Sequence, residues 1–415
     1  MNGYPISVHS EIGTLKKVLL HRPGRDLVNN KAEDFDNVWI HDCFYLDYAQ
    51  KEHDAFAQKL RDRGIEVVYL EDLAVQAIDS DPSVKTWFID RAMAESRITL
   101  PVLRQATRER LESTSSGSEL VQTYMGGLYL RDLELPKGVS PMLLADGKVT
   151  KPDDLVLLPL PASYFTRDPM ASVGHGVLLH HMFHFQRDRE VILYEAIFKF
   201  HPEYRETPLW YSHDLPYWIE GGDVLNINAH TLAIGLSERT SSGAIDALAH
   251  NIFWGPGESE IEQIFAINIP HGYAYMHLDT VCTQVDYDKF TVYPGIYDSM
   301  RVFRLTKGAV EGQVTTEEID DSLANVLARA TGQSSVQLIE CGGGDPVEAS
   351  REQWNDGSNT LALAPGVACV YERNVVTNDE LYKAGVELVT IPSEELSRGR
   401  GGPRCMSMPF VRDEI

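Results

Sequence analysis

Cysteine is scarce in this sequence. Its 415 residues include five (Cys43, Cys282, Cys341, Cys369 and Cys405), odd in number, widely separated and never arranged as CxxC. That pattern excludes a disulfide framework and a cysteine-rich zinc site, and it points to a reducing compartment. Long apolar runs are missing as well. No segment approaches the ~18 apolar residues that a bilayer span requires. The opening MNGYPISVHSEIG has no basic stretch followed by an apolar one, so a soluble, cytoplasmic protein is expected. Positive charge is also short, with 37 Lys and Arg against 61 Asp and Glu and a net charge of −24. The acidity is spread along the chain and no basic cluster stands out, so neither nucleic acid nor an anionic membrane is expected as a partner. A small cationic ligand suits this balance better.

Hydrophobic residues make up 43% of the chain, enough to fill a core without disulfides or metals. Residues 15 to 21 (LKKVLLH) have the composition of a strand. Leu46, Ala49, His53, Phe56 and Leu60 then follow the spacing of an amphipathic helix ending at Gly64, before a strand at 65 to 70 (IEVVYL). The order recurs twice: a hairpin in GGDVLNINAHTLAIGLSERT, the helical GAIDALAHNIF and the strand QIFAINI; then a hairpin in SNTLALAPGVACVYERN, a helix in TNDELYKAG and a strand in VELVTIP. Three copies of one strand, strand, helix, strand unit predict a pseudo-repeated α/β architecture. Residues 73 to 137 break the rhythm, because PSVKTWFIDRAMAES, LPVLRQATRERLES and GSELVQTYMGGLYLRD carry helical spacing without strands between them. They are expected to form an inserted helical subdomain, with 1–72 and 138–415 forming the α/β domain.

Reactive side chains gather at four turn-like segments: Phe165-Thr166-Arg167-Asp168-Pro169, Glu220-Gly221-Gly222-Asp223, His277-Leu278-Asp279-Thr280, and Arg398-Gly399-Arg400-Gly401-Gly402 leading to Cys405. Together they offer a thiol, an imidazole and several carboxylates. A planar guanidinium is held best by carboxylates accepting paired N–H bonds. Its resonance-stabilised carbon needs a soft nucleophile, and the departing amine needs a proton donor. Taken singly, the segments have plainer readings. Asp168 before Pro169 could start a turn, and Glu220 could face solvent in a hairpin connection. His277 and Asp279 stand two apart, which on a strand puts them on one face. Cys405 follows a glycine-rich basic stretch, whereas a structural cysteine usually sits in an apolar run, as Cys369 does in GVACVY. His180, His181 and His184 are the most metal-like group. Their surroundings (VLLHHMFHF) have strand character and supply no Asp or Glu in register, so no metal site is expected.

These stretches, with SEIGTLKKVLLHRPG, CGGGD, REQWNDGSNTLALAPGV and RGRGGPRCMSMP, resemble the arginine deiminases of the guanidine-modifying (pentein) superfamily over nearly the whole chain. The resemblance implies a five-fold pseudo-symmetric α/β propeller with an inserted helical domain. It implies Cys405 as nucleophile, His277 as general acid and base, Asp168 and Asp279 as the guanidinium grip, and Glu220 beside His277. Phe165, Arg187, Arg239 and Arg400 would serve the rest of the substrate, the arginines near its α-carboxylate or in gating the site; as residues alone, all three arginines could also be surface salt bridges. No cofactor is implied. L-Arginine is the implied substrate, and a dimer or tetramer the implied assembly. The chain departs from the family pattern at Ala162, where the family usually has Asn. Ala has no side-chain donor for a substrate carboxylate, so either Ser163 or the arginines take over that task, or the substrate preference is altered. The alternatives are the same chemistry on agmatine, methylated or peptidyl arginine, an amidino transfer, or a catalytically silent arginine-binding protein.

Overall fold

A computed structural model describes residues 4–38, 40, 42–257 and 259–415, so the first three residues of the opening segment lie outside it. Among the described residues no helix is long and apolar enough to cross a membrane.

The repeat seen three times in the sequence occurs five times in the structure. In each unit two strands pair antiparallel, and a third lies parallel to the second. A parallel return of this kind needs a crossover, and each unit supplies at least one helix there. In the second unit Met170–Val173 pairs with Gly176–Leu179, helix Val191–Phe200 crosses over, and Leu209–Tyr211 completes the sheet. The third contains Val224–Asn228, Thr231–Leu236, helix Ser242–Trp254 and Gln263–Asn268. Cys282–Asp286, Lys289–Val292, helix Leu323–Thr331 and Gln337–Glu340 build the fourth. Its crossover also carries a hairpin, Arg301–Lys307 with Val314–Ile319, which extends the sheet of the third unit to five strands. The fifth consists of Leu361–Ala364, Val367–Tyr371, helix Val375–Lys383 and Glu387–Ile391.

The first unit is completed by the end of the chain. Strand Leu15–Leu20 runs parallel to Glu66–Tyr69, and its antiparallel partner is Met408–Arg412. This pairing fixes the segment that carries Cys405. The crossover helix Leu46–Arg61 buries Ala49, His53, Phe56 and Leu60, the stripe its spacing predicts.

Four helices, Leu70–Ile78, Pro82–Glu95, Pro101–Glu112 and Gly117–Gly126, follow the first unit. Asp81 caps the second by accepting the Ser83 N–H, with Pro82 at its first position, and Ser116 caps the fourth through the Glu119 N–H. Their buried faces (Leu73, Phe88, Leu103, Leu120, Tyr124) share one apolar core with Ile192 and Tyr194 of helix Val191–Phe200. These helices are therefore packed onto the second unit.

Candidate active site

Each unit delivers polar residues to the same place, from the turn just ahead of its first strand. Asp168 precedes Met170–Val173, Glu220 precedes Val224–Asn228, His277 and Asp279 precede Cys282–Asp286, Asn359 precedes Leu361–Ala364, and Cys405 precedes Met408–Arg412. Asp279 thus lies in a 3₁₀ turn and His277 just before it, in keeping with a turn-like segment. These turns lie outside the strand pairing and are free to aim side chains inward.

A narrow cavity of about 40 Å³ lies there, lined by Phe165, Asp168, Arg187, Arg239, His277, Arg400 and Cys405 among others. Asp279 and Glu220 are fully buried directly behind it. All nine residues singled out in the sequence converge on this one region.

Cys405 is buried, with its thiol 3.7 Å from Asp279 Oδ2. Burial pushes the thiol well up, and the charges of Asp279, Asp168 and Asp356 push it further, with Arg404 opposing. His277 donates from Nε2 to Glu220 Oε2 at 2.7 Å, and its Nδ1 lies 3.7 Å from Asp168 Oδ1. Burial alone would lower the imidazole pKa, but the Asp168 charge and the Glu220 hydrogen bond prevail and it is pushed up to about 9. Burial likewise disfavours the Glu220 carboxylate, yet Arg239 and His277 hold it well below the usual carboxylate range. At neutral pH the pair is therefore a neutral thiol and an imidazolium.

Asp168 accepts from Arg187 Nη1 at 2.7 Å through Oδ2, and Asp279 accepts from Arg404 Nη1 at 2.7 Å through its own Oδ2. Their other oxygens, Asp168 Oδ1 and Asp279 Oδ1, are buried without hydrogen-bond partners. A buried acceptor left unmade costs on the order of 1–3 kcal/mol, more when charged. Two such oxygens near one thiol are a site built for a planar donor.

The arginines divide. Arg187 bridges Asp168 and both oxygens of Glu190, and Arg239 reaches Glu220 Oε2 at 3.3 Å, so both are buried ion pairs rather than surface ones. The Arg400 guanidinium stacks 3.4 Å from the Trp354 ring centroid and lies 5.2 Å from that of Tyr273. Its Nη2 donates to the Ala274 carbonyl at 3.4 Å, and its Nε and Nη1 have no hydrogen-bond partner. Ala162 lines the cavity and offers Arg187 only its carbonyl, at 3.4 Å. Ser163, fully buried and outside the cavity lining, has a hydroxyl without a hydrogen-bond partner.

Two glycines explain local sequence. A Cβ on Gly222 would lie 2.6 Å from His277 Nδ1, and one on Gly401 would lie 2.2 Å from Phe165 Cε1. Glycine is what lets the His277 ring and the Phe165 ring approach those backbones.

Three contributors were not singled out in the sequence. The Asn359 side chain accepts the Cys405 N–H at 3.0 Å and donates to the Asp279 carbonyl at 3.2 Å. Arg404 joins Glu11 and Asp279. Asp223 accepts the Leu278 N–H at 2.7 Å and the Ser237 hydroxyl at 2.7 Å, fixing the turn after His277. The available signal was adjacency, since all three belong to the stretches DGSN, GGPRC and EGGD already noted. The metal-like trio is dispersed: the His180 ring meets the Asp168 carbonyl, the His181 ring meets the His213 carbonyl, and strand character stops at Leu179.

The five α/β units thus bring a thiol, an imidazole and paired carboxylates to one cavity. An amidinotransferase from Microseira wollei in the saxitoxin biosynthetic pathway shares that fold, with a TM-score of 0.54 at 14% identity over 99% of this chain and 98% of the other. A family profile described as arginine deiminase matches residues 36–412. The arginine deiminase of Treponema denticola is 46% identical over 414 residues, covering 99% of each chain. That of Clostridium perfringens is 45% identical over 413 residues, covering 99% of this chain and 98% of the other. The chain belongs to the arginine deiminase family.

Proposed function

We propose that this chain hydrolyses the guanidinium group of free L-arginine to L-citrulline and ammonia, with Cys405 as nucleophile. The observation that carries the reading is the pair of carboxylate oxygens without hydrogen-bond donors, Asp168 Oδ1 and Asp279 Oδ1, buried beside the cavity that Cys405 and His277 line. Guanidinium N–H groups satisfy both oxygens, and the bound cation offsets the negative field that keeps the thiol protonated. As the cation binds, the Cys405 thiol gives its proton to solvent, and the thiolate adds to the central carbon, forming a C–S bond. His277 then gives its proton to one terminal nitrogen, the C–N bond breaks, and ammonia leaves. A thiouronium adduct remains. The neutral His277 takes a proton from water, whose oxygen attacks the adduct carbon. The C–S bond breaks as the added hydroxyl's remaining proton passes to sulfur, the ureido product departs with its new carbonyl, and the thiol is restored. Glu220 keeps the imidazole oriented throughout.

Arg187, Arg239 and Arg400 are assigned to the amino-acid end of the substrate, with Phe165 packing beside it. Arg400, whose Nε and Nη1 are free, is the one ready to receive a carboxylate. Arg400→Ala is expected to raise the Michaelis constant for arginine about 10-fold or more, in line with a lost charge-assisted hydrogen bond of roughly 1.5–3 kcal/mol. An unchanged Michaelis constant would remove this assignment.

Ala162 favours a second reading, in which the chemistry is kept and the preferred guanidino compound differs. Incubation of the purified protein with arginine, agmatine, methylarginines and a peptidyl arginine, measuring ureido product and ammonia, separates the two. Arginine is expected to turn over fastest, because Arg400 keeps two nitrogens without hydrogen-bond partners for a free α-carboxylate. Residues 73–137 are assigned to an inserted helical subdomain, the protein to the cytoplasm, and its assembly to a dimer or tetramer.

A further inference from the structure

Two buried histidines are left without a task by the mechanism, and they lie in line. His180 donates from Nδ1 to the Asp168 carbonyl at 2.6 Å, and its backbone N–H reaches the Pro169 carbonyl at 3.2 Å. The same Asp168 carbonyl accepts the Gly221 N–H at 3.0 Å, one residue beyond Glu220. His213 donates in turn from Nδ1 to the His180 carbonyl at 2.6 Å, and its Nε2 meets Glu95 Oε1 at 3.1 Å. Glu95 ends helix Pro82–Glu95, where Arg91 holds it together with Glu195 and Asp214. The line therefore runs from that helix, through two imidazoles, to the backbone of a residue beside the thiol.

The ring states fit their places. Burial keeps His180 neutral, its pKa lowered to about 4, so one ring nitrogen carries a proton and the carbonyl accepts it. His213 has acceptors at both nitrogens. Burial works against its charge, but the Glu95 bond and the nearby Asp188 prevail and raise it to about 9. Asp188 Oδ1 stands 3.6 Å from His213 Nδ1 and accepts the Met182 N–H, while Phe183 N–H binds Glu220 Oε1. The groups facing His213 are thus Glu95, Asp188, Glu195 and His181.

We propose that His180 and His213 are positioning residues, a relay that sets the Asp168 backbone, and with it the guanidinium-binding carboxylate, from the helix Pro82–Glu95. The proposal rests on the guanidinium reading of Asp168. A displaced binding group costs turnover steeply, about 100-fold for a shift near 1 Å.

The comparison that decides is His180→Leu against His180→Asn, since the Asn amide reproduces the Nδ1 donor. His180→Leu is expected to raise the Michaelis constant and lower kcat/KM by about 10- to 100-fold, whereas His180→Asn stays within about 3-fold of the parent. His213→Leu should act in the same direction, and adding it to His180→Leu should cost less than the product of the single losses, because both act through one line. Hydrogen exchange at the Gly221 amide should quicken in His180→Leu but not in His180→Asn. Equal behaviour of the two His180 variants, or a fully multiplicative double variant, overturns the relay. If His180→Leu does not fold, His213→Asn, which keeps a donor to the His180 carbonyl, against His213→Leu decides by the same readouts. A parent protein that turns over no guanidino compound defeats the deiminase reading alone, and the Gly221 exchange still judges the relay.

Discussion

Cys405→Ala should lower arginine turnover by more than about 10⁴-fold, because the alanine variant retains the positioning groups but has no atom to form the covalent adduct. The fold should survive. The Cys405 N–H bond to Asn359 is made by backbone, and the adjoining strand Met408–Arg412 keeps its place beside Leu15–Leu20. Arginine binding should also persist, since Asp168 and Asp279 are untouched, and calorimetric titration of the variant reads it directly. The parent thiol makes a matching forecast. Burial and three carboxylates hold it protonated, so an alkylating reagent should modify free Cys405 slowly at neutral pH. A small guanidinium that fills the grip without reacting should accelerate modification wherever it leaves the sulfur accessible. Comparable ammonia release from Cys405→Ala would end the nucleophile assignment.

The repeat was legible in the sequence only where its strands are long or edged by clear turns. The units at 224–268 and 361–391 have such strands, and the first has its amphipathic helix. The second unit was hidden because Leu209–Tyr211 is only three residues long and the other two strands are buried on both faces, which removes the alternation that marks a strand. The fourth was hidden because a hairpin interrupts its crossover and pairs elsewhere. The pairing of Leu15–Leu20 with Met408–Arg412 joins the two ends of the chain, and no local pattern announces it.

The site was more legible than the fold, because its residues are chemically unusual and stand in short turns. Turns expose polar groups that must be satisfied, so Glu220 before Gly221 and Cys405 after Gly402 and Pro403 stand out. Their partners do not. Asn359 and Arg404 look like ordinary turn residues until the fold brings Asn359 to the Cys405 N–H and Arg404 to Asp279. His180 was conspicuous for the wrong reason: a run of histidines suggests a ligand set, whereas the ring serves as a neutral donor to a backbone carbonyl. Spacing along the chain carries the residue types, and only the closure of the units decides which of them touch.

The second large effect concerns His277. His277→Asn should reduce turnover by about 10³-fold or more, since both the proton given to ammonia and the proton taken from water pass through this ring. The pH dependence has a defined sign. The folded imidazole titrates at about 9, above its ordinary 6.5, so the imidazolium persists through neutral pH and is lost as pH rises through about 9. The alkaline side of kcat/KM should fall there. The same shift makes a stability contribution that is full below pH 6.5 and disappears between 6.5 and about 9. Glu220→Gln removes a charge that holds the proton, so the alkaline fall should move toward neutral pH and the rate at pH 8 should drop more than the rate at pH 6. An alkaline limb unmoved by Glu220→Gln would show that another group controls it, and the imidazolium would lose its place as the proton donor to ammonia.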